Sequence, residues 1–292
     1  MYYFEKKNPL EKIDSPYFDN DRPVLRDSIV VFVDILGSKE LIREAEKSGE
    51  SGELLRKVDR AIGDANSAFL YKFSGNKLCD IRMFSDNTAI SMIAEKDEEF
   101  IYNLVSFLKA VTEYQIALAV EGIFARGGVS AGLVFSHIHL VWGPALVDAI
   151  EIEKNEAIYP RIILAEDIKE RLLNLTGEAA SVLKDFLLVD KNGVVFVNYL
   201  FRCKITEGEG WHDGEKKSSE RALEILQKHQ NNIQEALLKY VMDVKVSSKY
   251  SWLAEYHNWF CLEYFHNYPK LLINESIYER IFNHFGCEPQ IT

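Results

Sequence analysis

The stretch VVFVDILGSKEL, Val30 to Leu41, constrains this chain more than any other. Its density of Val, Ile and Phe reads as a buried strand. Yet the run carries an acid, Asp34, near its end, and a glycine, Gly37, three residues later. An unpaired carboxylate in such a place is strongly unfavourable, so Asp34 needs a partner. Either the rest of the chain supplies one or a bound cation does.

The pattern along the chain places that strand, Ser28–Ile35, at the head of an ordered series. Helices follow over Ser38–Lys47 and Glu53–Lys72, separated by SGESG and carrying apolar residues at helical spacing (Leu54, Leu55, Val58, Ile62). CDIRMFSDNTAISMI, Cys79–Ile93, reads as two short strands turning at Ser85-Asp86-Asn87. A long amphipathic helix covers Asp97–Ala119. Ile123–Phe135 and Ile138–Trp142 read as a second strand pair, and Pro144–Lys154 as a helix with proline in its first turn. Arg161–Leu164 is a strand, Glu166–Asn174 and Glu178–Phe186 are helices, and Leu187–Val189 and Gly193–Leu200 close a hairpin across DKNG. Because strands and helices do not alternate singly, this order predicts an α+β sheet layered with helices rather than a doubly wound fold.

Outside this block the character changes. Residues 1–27 are polar and interrupted by Pro9, Pro16 and Pro23, and read as an arm or docking extension. EGEGWHDGEKKSSE reads as a solvated linker, and Glu220–Tyr268 as two long helices. The second is dense in aromatics (KYSWLAEYHNWFCLEYFHNY), which at helical spacing predicts a packing face.

Two acids carry the chemistry. Asp34 ends the first strand and Asp86 sits at the hairpin tip, so both converge on one sheet edge if those strands are neighbours. Adjacent carboxylates repel unless a divalent cation lies between them, and hard oxygen ligands suit Mg²⁺ or Mn²⁺. Leu36-Gly37-Ser38 forms a tight turn opening a helix, where backbone N–H groups and the helix dipole face an anion. Taken singly, Asp86 is explained as a turn-forming residue and Asp34 as a cap of the next helix. Taken together with the order of elements, they describe a two-metal phosphoryl-transfer site.

These motifs carry a resemblance. FVDILGS (Phe32–Ser38), MFSDNTAIS (Met83–Ser91), RGGVSAGLVF (Arg126–Phe135) and VWGPALVDAIEIEK (Val141–Lys154) resemble, in order, the motifs of class III nucleotide cyclases. GPALVDAIEIEK, YPRIIL and KYSWLAEYHN resemble more narrowly the bacterial pyrimidine cyclases of Pycsar antiphage defence systems. That resemblance implies an N-terminal arm over 1–27, a cyclase domain with a ferredoxin-like palm sheet over 28–200, and a helical extension over 201–292. It also implies a homodimer with sites between two antiparallel domains. Asp34, Asp86 and the Ile35 carbonyl would hold two Mg²⁺ or Mn²⁺ ions, and backbone N–H groups of Leu36, Gly37 and Ser38 would face the triphosphate. The product, cyclic UMP or cyclic CMP, would be read by a separate effector protein.

Departures from the purine enzymes bear on the base. Their Asn and Arg, four residues apart, fall here on Val147 and Glu151, and the Asp two residues before Trp-Gly is Leu140. Arg82 lies where purine cyclases place a base-reading Lys or Glu. A guanidinium donates to uracil O2 or O4 and cannot accept from an exocyclic amine, which favours UTP, with CTP as the alternative. Arg161 and Lys191 are the candidate replacement cations. Arg126 reads as a sheet-edge residue. His137 and His139 share one strand face but lack an evident third zinc ligand.

Other classes remain. Retention of both acids argues against a catalytically dead cyclase-like module that dimerises or binds nucleotide, and loss of the Asn/Arg pair argues for it. A polymerase or diguanylate cyclase has a related palm, but its acidic hairpin is absent from FSDN. A net charge of −11 argues against broad contact with nucleic acid or anionic membrane. The four scattered cysteines form no CxxC pair. With no apolar leader and no run of about 18 apolar residues, a soluble cytoplasmic protein is expected.

Overall fold

The computed structural model describes residues 15–20, 22–72, 79–94, 97–137, 140–173, 175, 178–204, 215–273 and 282–286. His139, Cys287, residues 1–14 of the arm and most of the EGEGWHDGEKKSSE linker lie outside these. The elements run β1 (Phe18–Asp19), β2 (Arg22–Pro23), β3 (Arg26–Ile35), α1 (Ser38–Ser48), α2 (Ser51–Lys72), β4 (Cys79–Phe84), β5 (Asn87–Ile93) and α3 (Asp97–Val120). They continue with β6 (Ala125–His137), β7 (Leu140–Trp142), α4 (Pro144–Asn155), β8 (Ile162–Leu164), α5 (Glu166–Leu173), α6 (Glu178–Phe186), β9 (Leu187–Asp190) and β10 (Val195–Val197). Last come α7 (Glu215–Lys239), α8 (Val244–Tyr264) and β11 (Phe282–His284).

The fold is α+β. One mixed sheet has the order β11-β9-β10-β8-β6-β3-β5-β4, with β7 folded back on β6. β3 is central, antiparallel to both β5 and β6, while β6 and β8 run parallel. Alternation along β3 divides its side chains between two cores. Ile29, Val31, Val33 and Ile35 enter the main core beneath α2 and α3, and Val30 and Phe32 enter a smaller one with Ala145 and Ala149 of α4. The residue after Phe32 on that second face is Asp34, which is why it points toward α4. The arm docks here too: Tyr17 is fully buried, and its hydroxyl bonds Ser28 and Ser91.

Close approach of α4 depends on Gly128, which faces Phe32 across the β6–β3 ladder. A Cβ at this position would lie 2.4 Å from the Ala149 carbonyl oxygen and 2.7 Å from Ile152 Cβ. Gly128→Ala must therefore push α4 away. We expect a loss of about 2–3 kcal/mol, read as a lower urea midpoint; an unchanged midpoint would show that α4 moves freely.

The aromatic helix packs as a core element. Trp252, Leu253, Tyr256, Phe260 and Cys261 of α8 are buried against Phe196, Tyr199 and Phe282. β11, unforeseen from the pattern, covers the edge of β9. A buried hydrogen-bond relay ties both C-terminal helices to the sheet domain. Its direction follows from donors and acceptors. His257 Nε2–H donates to the Leu271 carbonyl at 2.8 Å, so His257 Nδ1 accepts from His229 Nδ1–H at 2.9 Å. His229 Nε2 then accepts from the Tyr199 hydroxyl at 2.7 Å. The relay is complete only while both rings are neutral, and burial depresses both imidazoles, His257 to about 4.

Candidate functional site

Register brings the site together. Asp34 lies opposite Asn87 on β5 and Arg126 on β6. Phe84 pairs with Asn87, so Ser85 and Asp86 alone form the hairpin turn, with Ser85 at φ 58°. The Ile35 N–H donates to the Asp86 carbonyl at 3.2 Å, pinning the turn to the end of β3. Both acids therefore meet at one end of the sheet.

Asp34 finds its partner in Arg126, whose Nε and Nη2 each lie 3.3 Å from Asp34 Oδ2. Arg126 is not at a sheet edge. It stands on a central strand, and its Nη2 also lies 2.7 Å from Glu153 Oε1 on α4, an ion pair without hydrogen-bond alignment. Its Nη1 donates to the Ala157 carbonyl at 3.3 Å. Burial raises the Asp34 and Glu153 carboxyls, Arg126 opposes this in both, and the neighbouring acid adds to it. Asp86 is different. Burial pushes it up, but hydrogen bonds from Ser38 and Ser85 outweigh this and hold it below the usual range. Ser38 Oγ donates to Oδ2, and Asn87 Nδ2 donates to Oδ1 at 3.2 Å.

The turn after β3 is open. Gly37 caps α1 at φ 72°, in the left-handed region that favours glycine, and a Cβ there would meet no atom within 4 Å. The N–H groups of Gly37 and Ser38 make no hydrogen bond to a described residue, as expected for a helix start. Leu36 is a correction: its N–H donates to the Phe124 carbonyl at 2.8 Å and does not face the turn.

Whether a cation fits follows from the donor set. Asp34 and Glu153 share the Arg126 guanidinium, and Asp86, held by Ser38 and Asn87, has no cation paired with it among the described residues, which leaves local negative charge in excess. Among the described residues no three His, Cys, Asp or Glu side chains cluster as a metal cage. Two carboxylates with the Ile35 carbonyl suit Mg²⁺ or Mn²⁺, which fill their remaining positions with water and phosphate.

The other expected residues lie elsewhere. Arg82 is on β4, opposite Ala89, two strands from Asp34 and two residues along, roughly 12 Å between Cα atoms from strand spacing. It pairs with Asp80 at 2.5 Å, and its buried Nε has no hydrogen-bond partner among the described residues. Arg161 is corrected as a free cation: it is buried, 2.5 Å from Asp190, and stacked among Tyr159, Phe196 and Trp252. Lys191 borders a cavity of about 440 Å³ with Asp190, Ser248 and Trp252, whose lining includes neither Asp34 nor Asp86. Val147 and Glu151 are exposed on α4. His137 packs edge-on against Phe18. Arg126 and Glu153 escaped sequence reasoning; Glu153 continues the buried Ala145–Ala149 stripe by one further turn, a signal that could have found it.

No protein-family model matches the chain, and no curated protein matches it. Among solved structures it is similar to the adenylyl cyclase CyaB from P. aeruginosa, at 16% identity over 59% of this chain and 92% of that one, with a TM-score of 0.42. A bacterial light-regulated adenylyl cyclase is similar at 15% identity over 61% and 92%, with a TM-score of 0.37. A class III adenylyl cyclase-like ATP-binding protein from Pseudomonas aeruginosa is similar at 14% identity over 75% and 45%, with a TM-score of 0.40. Similarity this faint speaks to neither substrate nor chemistry. Among the described residues no helix is long and apolar enough to cross a membrane.

Proposed function

We propose that this chain is a class III-type nucleotide cyclase converting UTP to 3′,5′-cyclic UMP and pyrophosphate. CTP is the alternative substrate and purine triphosphates come third. The single observation that supports it is Asp34 and Asp86 meeting beside an open glycine turn at the start of α1. Asp34, Asp86 and the Ile35 carbonyl would hold Mg²⁺ or Mn²⁺, which when bound neutralises triphosphate charge and makes the ribose 3′-hydroxyl more acidic.

The chain's own residues do the rest. Gly37 and Ser38 offer free N–H groups to the phosphates at a helix N-terminus. Ser38 and Asn87 fix both oxygens of Asp86, while Arg126 orients Asp34. The 3′-oxygen forms a bond to the α-phosphorus, the α–β bridge breaks, pyrophosphate leaves, and the hydroxyl proton passes to solvent. Catalysis is assigned to residues 28–200, with 201–292 as a helical extension.

Arg82 supports both the base and the assembly. It lies too far from Asp34 to read a base in its own site, but an antiparallel homodimer would carry it to the partner's. Its donors match the keto edge of uracil. An antiphage role, with a separate effector reading the product, follows from the resemblance.

A second reading is a nucleotide-binding module without catalysis, favoured by Arg126 occupying Asp34 Oδ2. Incubating the protein with each of the four NTPs and Mn²⁺ decides between them. Pyrophosphate release, fastest with UTP or CTP, is expected; release from none of the four sinks the cyclase reading. Fastest release from ATP or GTP would overturn the pyrimidine assignment alone.

A further inference from the structure

The start of α8 lies over the catalytic end of the sheet. Tyr250 packs edge-on against Phe124 at 5.8 Å, and the Phe124 carbonyl accepts the Leu36 N–H at the metal-site turn. Tyr250 also stacks on Tyr240 at 5.7 Å. The Tyr240 hydroxyl donates to Glu44 on α1 at 3.3 Å, and Lys239 lies 2.5 Å from the same carboxylate. The C-terminal helices are thus fastened to the helix that begins at Gly37.

This docking brings a cation of α8 near the mouth of the site. Lys249, adjacent to Tyr250, is half-buried and forms no hydrogen bond or ion pair with any described residue. It is near enough to act on the charges of Asp34, Arg126 and Glu40. Glu40 is in the first turn of α1, so Lys249 lies near both Asp34 and the start of that helix. Partial burial and the positive neighbours Arg126 and Lys245 disfavour its charge and outweigh the opposing acids Glu40 and Asp243, and a polyanion is a ligand that would relieve this.

We propose that Lys249 binds the polyphosphate of the nucleotide, making the C-terminal helix part of the active site. Where purine enzymes carry an Asn and an Arg this chain has Val147 and Glu151, neither of them a cation, and Arg161 is spent on Asp190. Lys249 supplies the missing positive charge from more than 200 residues beyond Asp34 in the chain. The inference rests on the cyclase reading for its choice of ligand.

Lys249→Gln and Lys249→Arg test it. Losing a charge-assisted contact should raise KM for the preferred NTP about tenfold or more, with a smaller change in kcat, and Lys249→Arg should recover most of it. Affinity for inorganic tripolyphosphate with Mn²⁺, measured by calorimetry, should fall about as much in Lys249→Gln and be regained in Lys249→Arg. Thermal melting confirms that both variants fold. If the wild type releases pyrophosphate from no NTP, the cyclase reading fails, and tripolyphosphate binding alone decides Lys249. Equal tripolyphosphate affinity in wild type and Lys249→Gln, or no binding by the wild type, overturns the inference.

Discussion

Asp34→Asn is expected to lower pyrophosphate release at least about 100-fold while leaving the melting temperature unchanged or higher. The two effects separate because the carboxylate serves the ligand rather than the fold. Burial and the Asp86 charge raise the Asp34 carboxyl above its unfolded value. A raised carboxyl binds its proton more tightly in the folded protein, so its contribution is present at low pH and lost as pH rises through the folded value. At neutral pH the charged form therefore costs stability. Asparagine removes that charge and still accepts from Arg126, which retains Glu153 and the Ala157 carbonyl. Activity within threefold of wild type would remove Asp34 from the site. A melting temperature well below wild type would make the Asp34–Arg126 pair structural instead.

The largest stability effect belongs to the histidine relay. At pH 5.5 side-chain ¹H–¹⁵N spectra should show His229 as the neutral Nδ1–H tautomer and His257 as the neutral Nε2–H tautomer. Both are fully buried, and among the described residues no carboxylate acts on either. With His257 near 4 in the fold against 6.5 unfolded, the unfolded chain takes up the proton first as pH falls. Stability present above about pH 6.5 is then lost on acidification, by about 3 kcal/mol from His257 alone once pH reaches 4. Protonating Asp34 and Glu153 acts in the opposite direction, so the ring spectra isolate the effect better than a melting curve. An imidazolium signal from either ring at pH 5.5 would be incompatible with the relay as drawn.

Much of the site was legible because its parts are local. The apolar run ending in Asp34, the glycine turn and the SDN hairpin each announce themselves within a few residues, through alternation and turn chemistry. Misreadings came where contact is non-local. Arg126 reads as a sheet-edge residue from the sequence, yet β8 and β3 flank β6 and place it against Asp34. Leu36 seems to belong to the phosphate turn until Phe124 takes its N–H. Arg161 looks available until the hairpin after it brings Asp190 to its guanidinium.

The sequence by itself determined the α+β order, the strand that ends in an acid, the hairpin that presents a second, and the helix start left open by Gly37. Only the tertiary structure decided which charges meet. Asp34 shares Arg126 with Glu153 because Gly128 lets α4 lie close to the sheet, and Lys249 reaches the site because aromatic packing fastens α8 there. Strand and turn preferences act over neighbouring residues, whereas charge interactions depend on distance in space, which register and helix docking alone establish.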